Sequence, residues 1–130
     1  MIIILFCFSS CLDFNLPNVN GMWQLKTIQD ENENIQTVDT IFYSFQRQAI
    51  FSYTILQEKE NEAETSILIY GFIDFPDNDQ LHIQLDEKQK NLAHLLIWEG
   101  KSDVTYNIVK LDSKKMVLFN DGKTYNFIKY

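Results

Sequence analysis

The sequence predicts an all-β fold, a small antiparallel up-and-down barrel of about eight strands with one short helix. Three observations carry this. The chain is rich in strand-favouring side chains, with 14% aromatic residues including ten Phe and six Tyr in 130 positions. Short β-branched and aromatic runs alternate with turn signals at close spacing, leaving connections too short for the crossovers that parallel strands need. Near the C-terminus two apolar runs flank Asp121-Gly122, the preferred pair for a two-residue hairpin. A meander of this length leaves two edge strands open, and closure into a barrel removes both.

Residues 21–28 (GMWQLKTI) alternate, which puts Trp23, Leu25 and Thr27 on one face of an opening strand. Residues 30–34 are Asp, Glu and Asn only and read as a solvated turn. Residues 40–45 (TIFYSF) and 49–56 (AIFSYTIL) give two strands with a bend at 46–48; residues 57–64 are a charged, exposed connection. Within 66–75 (SILIYGFIDF) Gly71 predicts a bulge or sharp bend. Pro76-Asp77-Asn78-Asp79 is a turn, and 81–85 (LHIQL) is a strand with Leu81, Ile83 and Leu85 facing the core. The period then changes. Leu92, Leu95 and Leu96 fall at i, i+3, i+4, with Asp86 placed as an N-cap and Gly100 as a stop, so one short helix is expected within 86–98. Residues 104–111 are a strand, and 116–120 and 123–130 form the terminal hairpin. Its register sets Leu118 opposite Tyr125 and Met116 opposite Phe127, one apolar stripe.

The N-terminus sets the expected address. Residues 2–8 are apolar, and Ser9, Ser10 and Cys11 follow. That order looks like a lipoprotein signal peptide, with Cys11 the acylated residue. The alternative is a buried opening strand. No basic residue precedes the apolar run, which suggests a start a few codons upstream. The run is shorter than the roughly 20 residues that cross a bilayer. The expected organisation is a signal over 1–11, a tether over 12–20 reaching at most about 30 Å, and one barrel domain over 21–130. The product is then expected in the cell envelope, lipid-anchored at the outer membrane. Cys11→Ala should release it from membranes; a mutant that still sediments with them would refute the anchor.

Eleven Lys+Arg against eighteen Asp+Glu give a net charge of −7, and Arg47 is the single arginine. Nucleic-acid binding needs a basic footprint, so no nucleic-acid partner is expected. His82 and His94 are the two histidines, and both cysteines lie in the first eleven residues, too few donors for a zinc site. Asp74, Asp77 and Asp79 surround Pro76 without the spacing of a calcium loop, and no metal is expected. There is no nucleophile elbow, no assignable pair of opposed carboxylates and no glycine-rich phosphate loop, the four glycines standing at 21, 71, 100 and 122. No catalytic residue and no cofactor are therefore assigned.

A cysteine-terminated signal, Gly21-Met22-Trp23 opening the first strand, and the ending YNIVKLDSKKMVLFNDGKTYNFIKY (residues 106–130) together resemble the lipocalin-like lipoproteins of Bacteroidota. The likeness covers roughly residues 21–130 and implies a small up-and-down barrel. Gly21-Met22-Trp23 is also similar to the first motif of the wider lipocalins, whose Trp plugs the closed end; their Thr-Asp-Tyr motif and the late Arg that stacks on that Trp are not found here.

The aromatics exceed what one face of each strand needs. Trp23, Phe42, Tyr43, Phe51, Tyr53, Tyr70, Trp98 and Tyr106 are the candidates for lining a ligand cavity or a partner patch, against the plainer expectation that they pack the interior, a helix or a neighbouring strand. The expected function is that of a non-enzymatic, lipid-anchored envelope protein binding a small apolar ligand. The alternative is a protein–protein interaction module, an inhibitor or assembly accessory, with a filled barrel.

Overall fold

The computed structural model describes residues 16–57 and 65–130. Nine strands form one antiparallel sheet: β1 (Gly21–Gln29), β2 (Ile35–Thr37), β3 (Ile41–Gln46), β4 (Ile50–Gln57), β5 (Thr65–Asp74), β6 (Gln80–Leu85), β7 (Asp103–Leu111), β8 (Lys115–Asn120) and β9 (Lys123–Lys129). The order is β2-β1-β3-β4-β5-β6-β7-β8-β9, and β9 pairs back onto β1. Eight strands thus close the barrel, and β2 is a short ninth on its rim. The sequence gives β2 no signal, because its three residues are all exposed and carry no alternation.

Alternation decides which face points inward. Trp23 and Leu25, Tyr43 and Phe45, Phe51 and Tyr53, and Leu81, Ile83 and Leu85 are buried in one core cluster. The terminal hairpin has the expected register, with Leu118 opposite Tyr125 and Met116 opposite Phe127. Asp121 sits at φ 49°, which proline cannot reach. Asp121→Pro is expected to cost about 2 kcal/mol through strain at this turn; an unchanged urea midpoint would reject the register.

Three expectations are corrected. Gly71 forms no bulge: the ladders run through it unbroken, Phe51 to Gly71 to Leu85. Its reason is proximity, since a Cβ there would run into the Gln84 carbonyl. The irregularities lie instead at Lys26, between β1 and β9, and at Val109, between β7 and β8. Such extra residues bend strands and help close a small barrel.

The helix is a 3-10 helix over Glu87–Leu95, capped by the Asp86 carboxylate accepting from the Lys88 N–H. With three residues per turn, Ala93 and Leu96 share the buried side, while Leu95 is turned out to 37% exposure. The third correction concerns the expected tether. Residues 1–15 lie outside the described part, as do 58–64 of the charged connection, but residues 17–20 are bound to the barrel. Val19 is fully buried; its N–H donates to the Gln48 side chain, which in turn donates to the Pro17 carbonyl.

Candidate functional site

Turns between strands divide the barrel ends. Residues 16–20 and the β3–β4, β5–β6 and β7–β8 turns gather at one end. The β1–β3 connection with β2, the segment 86–102 and the β8–β9 turn gather at the other.

The first end is shut. Trp23 is fully buried there, its indole N–H donates to the Val19 carbonyl at 2.8 Å, and Lys129 Nζ lies 4.4 Å from the ring centre. A cation over an aromatic face is attracted by the ring quadrupole. Lys129 thus takes the role of the stacking Arg whose absence the sequence suggested. Gly21 makes room for it: at φ 119° a Cβ would stand 2.5 Å from the Lys129 Cε and Nζ. Lys129 was not legible in the sequence, because only barrel closure pairs it with Trp23.

The lumen is filled by the chain's own rings. Trp98, from the segment between β6 and β7, enters the barrel and stacks on Phe51, with ring centres 5.9 Å apart, and meets Tyr53 edge-on at 6.0 Å. Its indole N–H donates to the Tyr43 hydroxyl at 2.9 Å, and the hydroxyls of Tyr43 and Tyr106 are 2.7 Å apart. The Ile97 backbone N–H donates to the Tyr53 hydroxyl at 3.2 Å. Among the described residues no buried side-chain nitrogen or oxygen lacks a partner. Burial pushes the Tyr43, Tyr53 and Tyr106 phenols well up, with neighbouring tyrosines adding to the effect at Tyr43. They stay neutral and act as hydrogen-bonding groups rather than as bases or nucleophiles.

Above Trp98 the barrel opens. β1 pairs with β3 only as far as Gln24, then with β2, so the two strands splay. A cleft of about 800 Å³ opens there. Ile28, Val38, Ile41, Ile97 and Tyr125 give it apolar walls, with Asp30, Asp39 and Lys123 around them. A second recess of about 240 Å³ lies beside it, and Ile97, Lys123 and Tyr125 border both. Of these residues sequence reasoning flagged none as a site, since each reads as ordinary strand or loop.

The predicted aromatics therefore divide. Tyr43, Phe51, Tyr53, Trp98 and Tyr106 converge in the lumen, and Trp23 closes its far end. Phe42 and Tyr70 face outward. Phe42 is buried beneath the C-terminal Tyr130 ring at 4.9 Å, rather than beneath the helix. Tyr70 is 47% exposed, in a strip with Ile50, Leu68 and Phe72.

His94 is exposed and its ring contacts the Asn91 carbonyl. His82 lies on the outer face between Asp74 at 2.6 Å and Asp103 at 3.0 Å, tying β5, β6 and β7 together. Burial opposes its charge, but the two carboxylates outweigh that and raise the imidazole above its usual value. A raised folded value stabilises the protein fully below the unfolded pKa, near 6.5, and the contribution fades as pH rises through the folded value. His82→Gln should therefore lower the unfolding free energy measured in urea at pH 5.5 by up to about 1 kcal/mol, the range of exposed ion pairs, and change it far less at pH 9. Equal losses at both pH values would refute the charged clamp.

A family model described as a lipocalin-like domain matches residues 6–130. Among solved structures the chain is similar to an uncharacterized protein from Bacteroides eggerthii DSM 20697, 26% identical over 85% of this chain and 98% of that one, TM-score 0.67. It is also similar to a lipocalin-like protein from Bacteroides uniformis ATCC 8492, 23% identical over 86% and 98%, TM-score 0.73. A third, japanin from Rhipicephalus appendiculatus bound to cholesterol, is 12% identical over 88% and 78%, TM-score 0.58. No curated protein sequence matches the chain.

Proposed function

The chain belongs to the lipocalin-like domain family, and from that premise we propose that it is a non-enzymatic envelope protein that holds a small apolar ligand at the open end of its barrel. The cleft of about 800 Å³ carries this reading. Its volume falls within the roughly 300–1,000 Å³ of small-molecule sites, and its lining sets five aliphatic side chains and Tyr125 among seven polar ones. Japanin, of the same fold, is bound to cholesterol, which supports an apolar ligand here.

The anchor in this reading is a lipid on Cys11. Pro17 is tied to Gln48 at the shut end, and the few residues between it and Cys11 reach about 20 Å when extended. The shut end then faces the membrane and the mouth faces away from it. Native mass spectrometry of the full chain exposed to an envelope lipid extract is the test. A discrete, saturable adduct is expected; a bare monomer rejects the ligand. The second reading, an interaction module, is favoured by the outer strip of Ile50, Leu68, Tyr70 and Phe72, all at least 41% exposed.

A further inference from the structure

We propose that Ile97 and Trp98 form a displaceable stopper, so that the ligand site runs from the mouth into the lumen and takes a flat apolar molecule with one hydrogen-bond donor. The inference rests on the ligand-binding reading and adds how that site is kept shut.

Three observations carry it. Ile97, with Lys123 and Tyr125, borders both the cleft of about 800 Å³ and the recess of about 240 Å³, and Trp98 lines the recess. The Trp98 indole occupies a box of a ligand's character: one ring stacked, one ring edge-on, and a tyrosine hydroxyl receiving its single N–H. Trp98 and Leu96 are packed in the core cluster, and few polar ties add to that packing. Two hydrogen bonds bind the segment to the lumen, one to Tyr43 and one to Tyr53. The turn behind it is held by an exposed Glu99–Lys123 ion pair at 3.8 Å and by Ser102 accepting from the Leu85 N–H. Exposed pairs of this kind contribute little.

The lumen also tolerates the departure. When Trp98 leaves, Tyr43 and Tyr106 keep their mutual hydrogen bond, and Tyr43 and Tyr53 present acceptors to an incoming donor. A flat ring with one hydroxyl or N–H replaces both the packing and the hydrogen bond that the indole supplied. Asp30, Asp39 and Lys123 line the cleft, and Glu99 and Lys123 the recess, at the outer part of that site.

The two tryptophans, Trp23 and Trp98, give the experiment its control. The full chain carrying 5-fluorotryptophan is titrated with 2-naphthol and followed by fluorine NMR. The Trp98 resonance is expected to shift saturably while that of Trp23, at the shut end, stays in place. 2-Methoxynaphthalene, the same ring without the donor, should bind roughly fivefold more weakly, the factor of one neutral hydrogen bond. Saturable binding of 2-naphthol by calorimetry with both resonances unmoved overturns the stopper and leaves a ligand at the mouth intact. Absence of any 2-naphthol binding overturns it too, while the envelope-lipid adduct still decides the ligand-binding reading independently. Trp98→Gly removes the competing side chain and should bind 2-naphthol at least about tenfold more tightly than the native chain. A folded variant that binds no better also overturns the proposal. Should that variant fail to fold, the fluorine measurement on the native side chains decides alone.

Discussion

Trp23→Ala is expected to destabilise the barrel by about 3–5 kcal/mol, the range for truncating a buried large aromatic. The indole is fully buried, and its removal empties the shut end. It also strips the Val19 carbonyl of its donor and leaves Lys129 without the ring it lies over. Lys129 additionally donates to the Asn20 carbonyl at 2.7 Å, so one substitution loosens β1, β9 and the segment 16–20 together. Urea unfolding measures the loss. Trp23→Phe, which keeps most of the packing and forfeits the N–H, should fall between. A loss under about 1 kcal/mol for the alanine variant would mean that the shut end is not a packed plug.

Gly71→Ala should cost about 3 kcal/mol, at the upper end of overpacking. The added methyl has nowhere to go. It would stand against the backbone of Gln84 and Leu85, which cannot swing aside as a side chain can. β5 and β6 must part, and both carry the segment 86–102 at the open end: Asp86 N–H donates to the Tyr70 carbonyl, and Tyr70 N–H to the Gln89 side chain. Amide exchange should therefore quicken over residues 86–98 before it quickens in the β8–β9 hairpin. Uniform acceleration, or a variant as stable as the native chain, would reject this account of Gly71.

How much could be read from the sequence follows the range of the interactions. The β8–β9 hairpin was legible to the residue, because its register is set by two turn residues and by the alternation beside them. The buried faces of β1 and β6 were legible for the same reason, period two being a local property, whereas β3 and β4 carry bulky apolar residues on both faces. The helical segment was placed, but its pitch was not. Ala93 and Leu96 are buried and Leu95 is not, because the barrel rim rather than propensity decides how tightly that turn winds.

The lumen shows the boundary most clearly. Composition announced more aromatic rings than a one-sided sheet needs, and the Gly21-Met22-Trp23 opening with the terminal hairpin resembled one family, to which the chain belongs. By itself, then, the chain determined a closed antiparallel barrel, the core-facing residues of β1, β6 and the β8–β9 hairpin, and its family. Tertiary structure alone decided that Trp98 hydrogen bonds to Tyr43, 55 residues away, that Tyr43 meets Tyr106 across 63, and that Lys129 covers Trp23. It also turned Phe42 and Tyr70 outward and splayed β1 from β3 to open the mouth. The physical reason is that alternation fixes on which side of a strand a residue lies, whereas closure of the sheet fixes what it meets there.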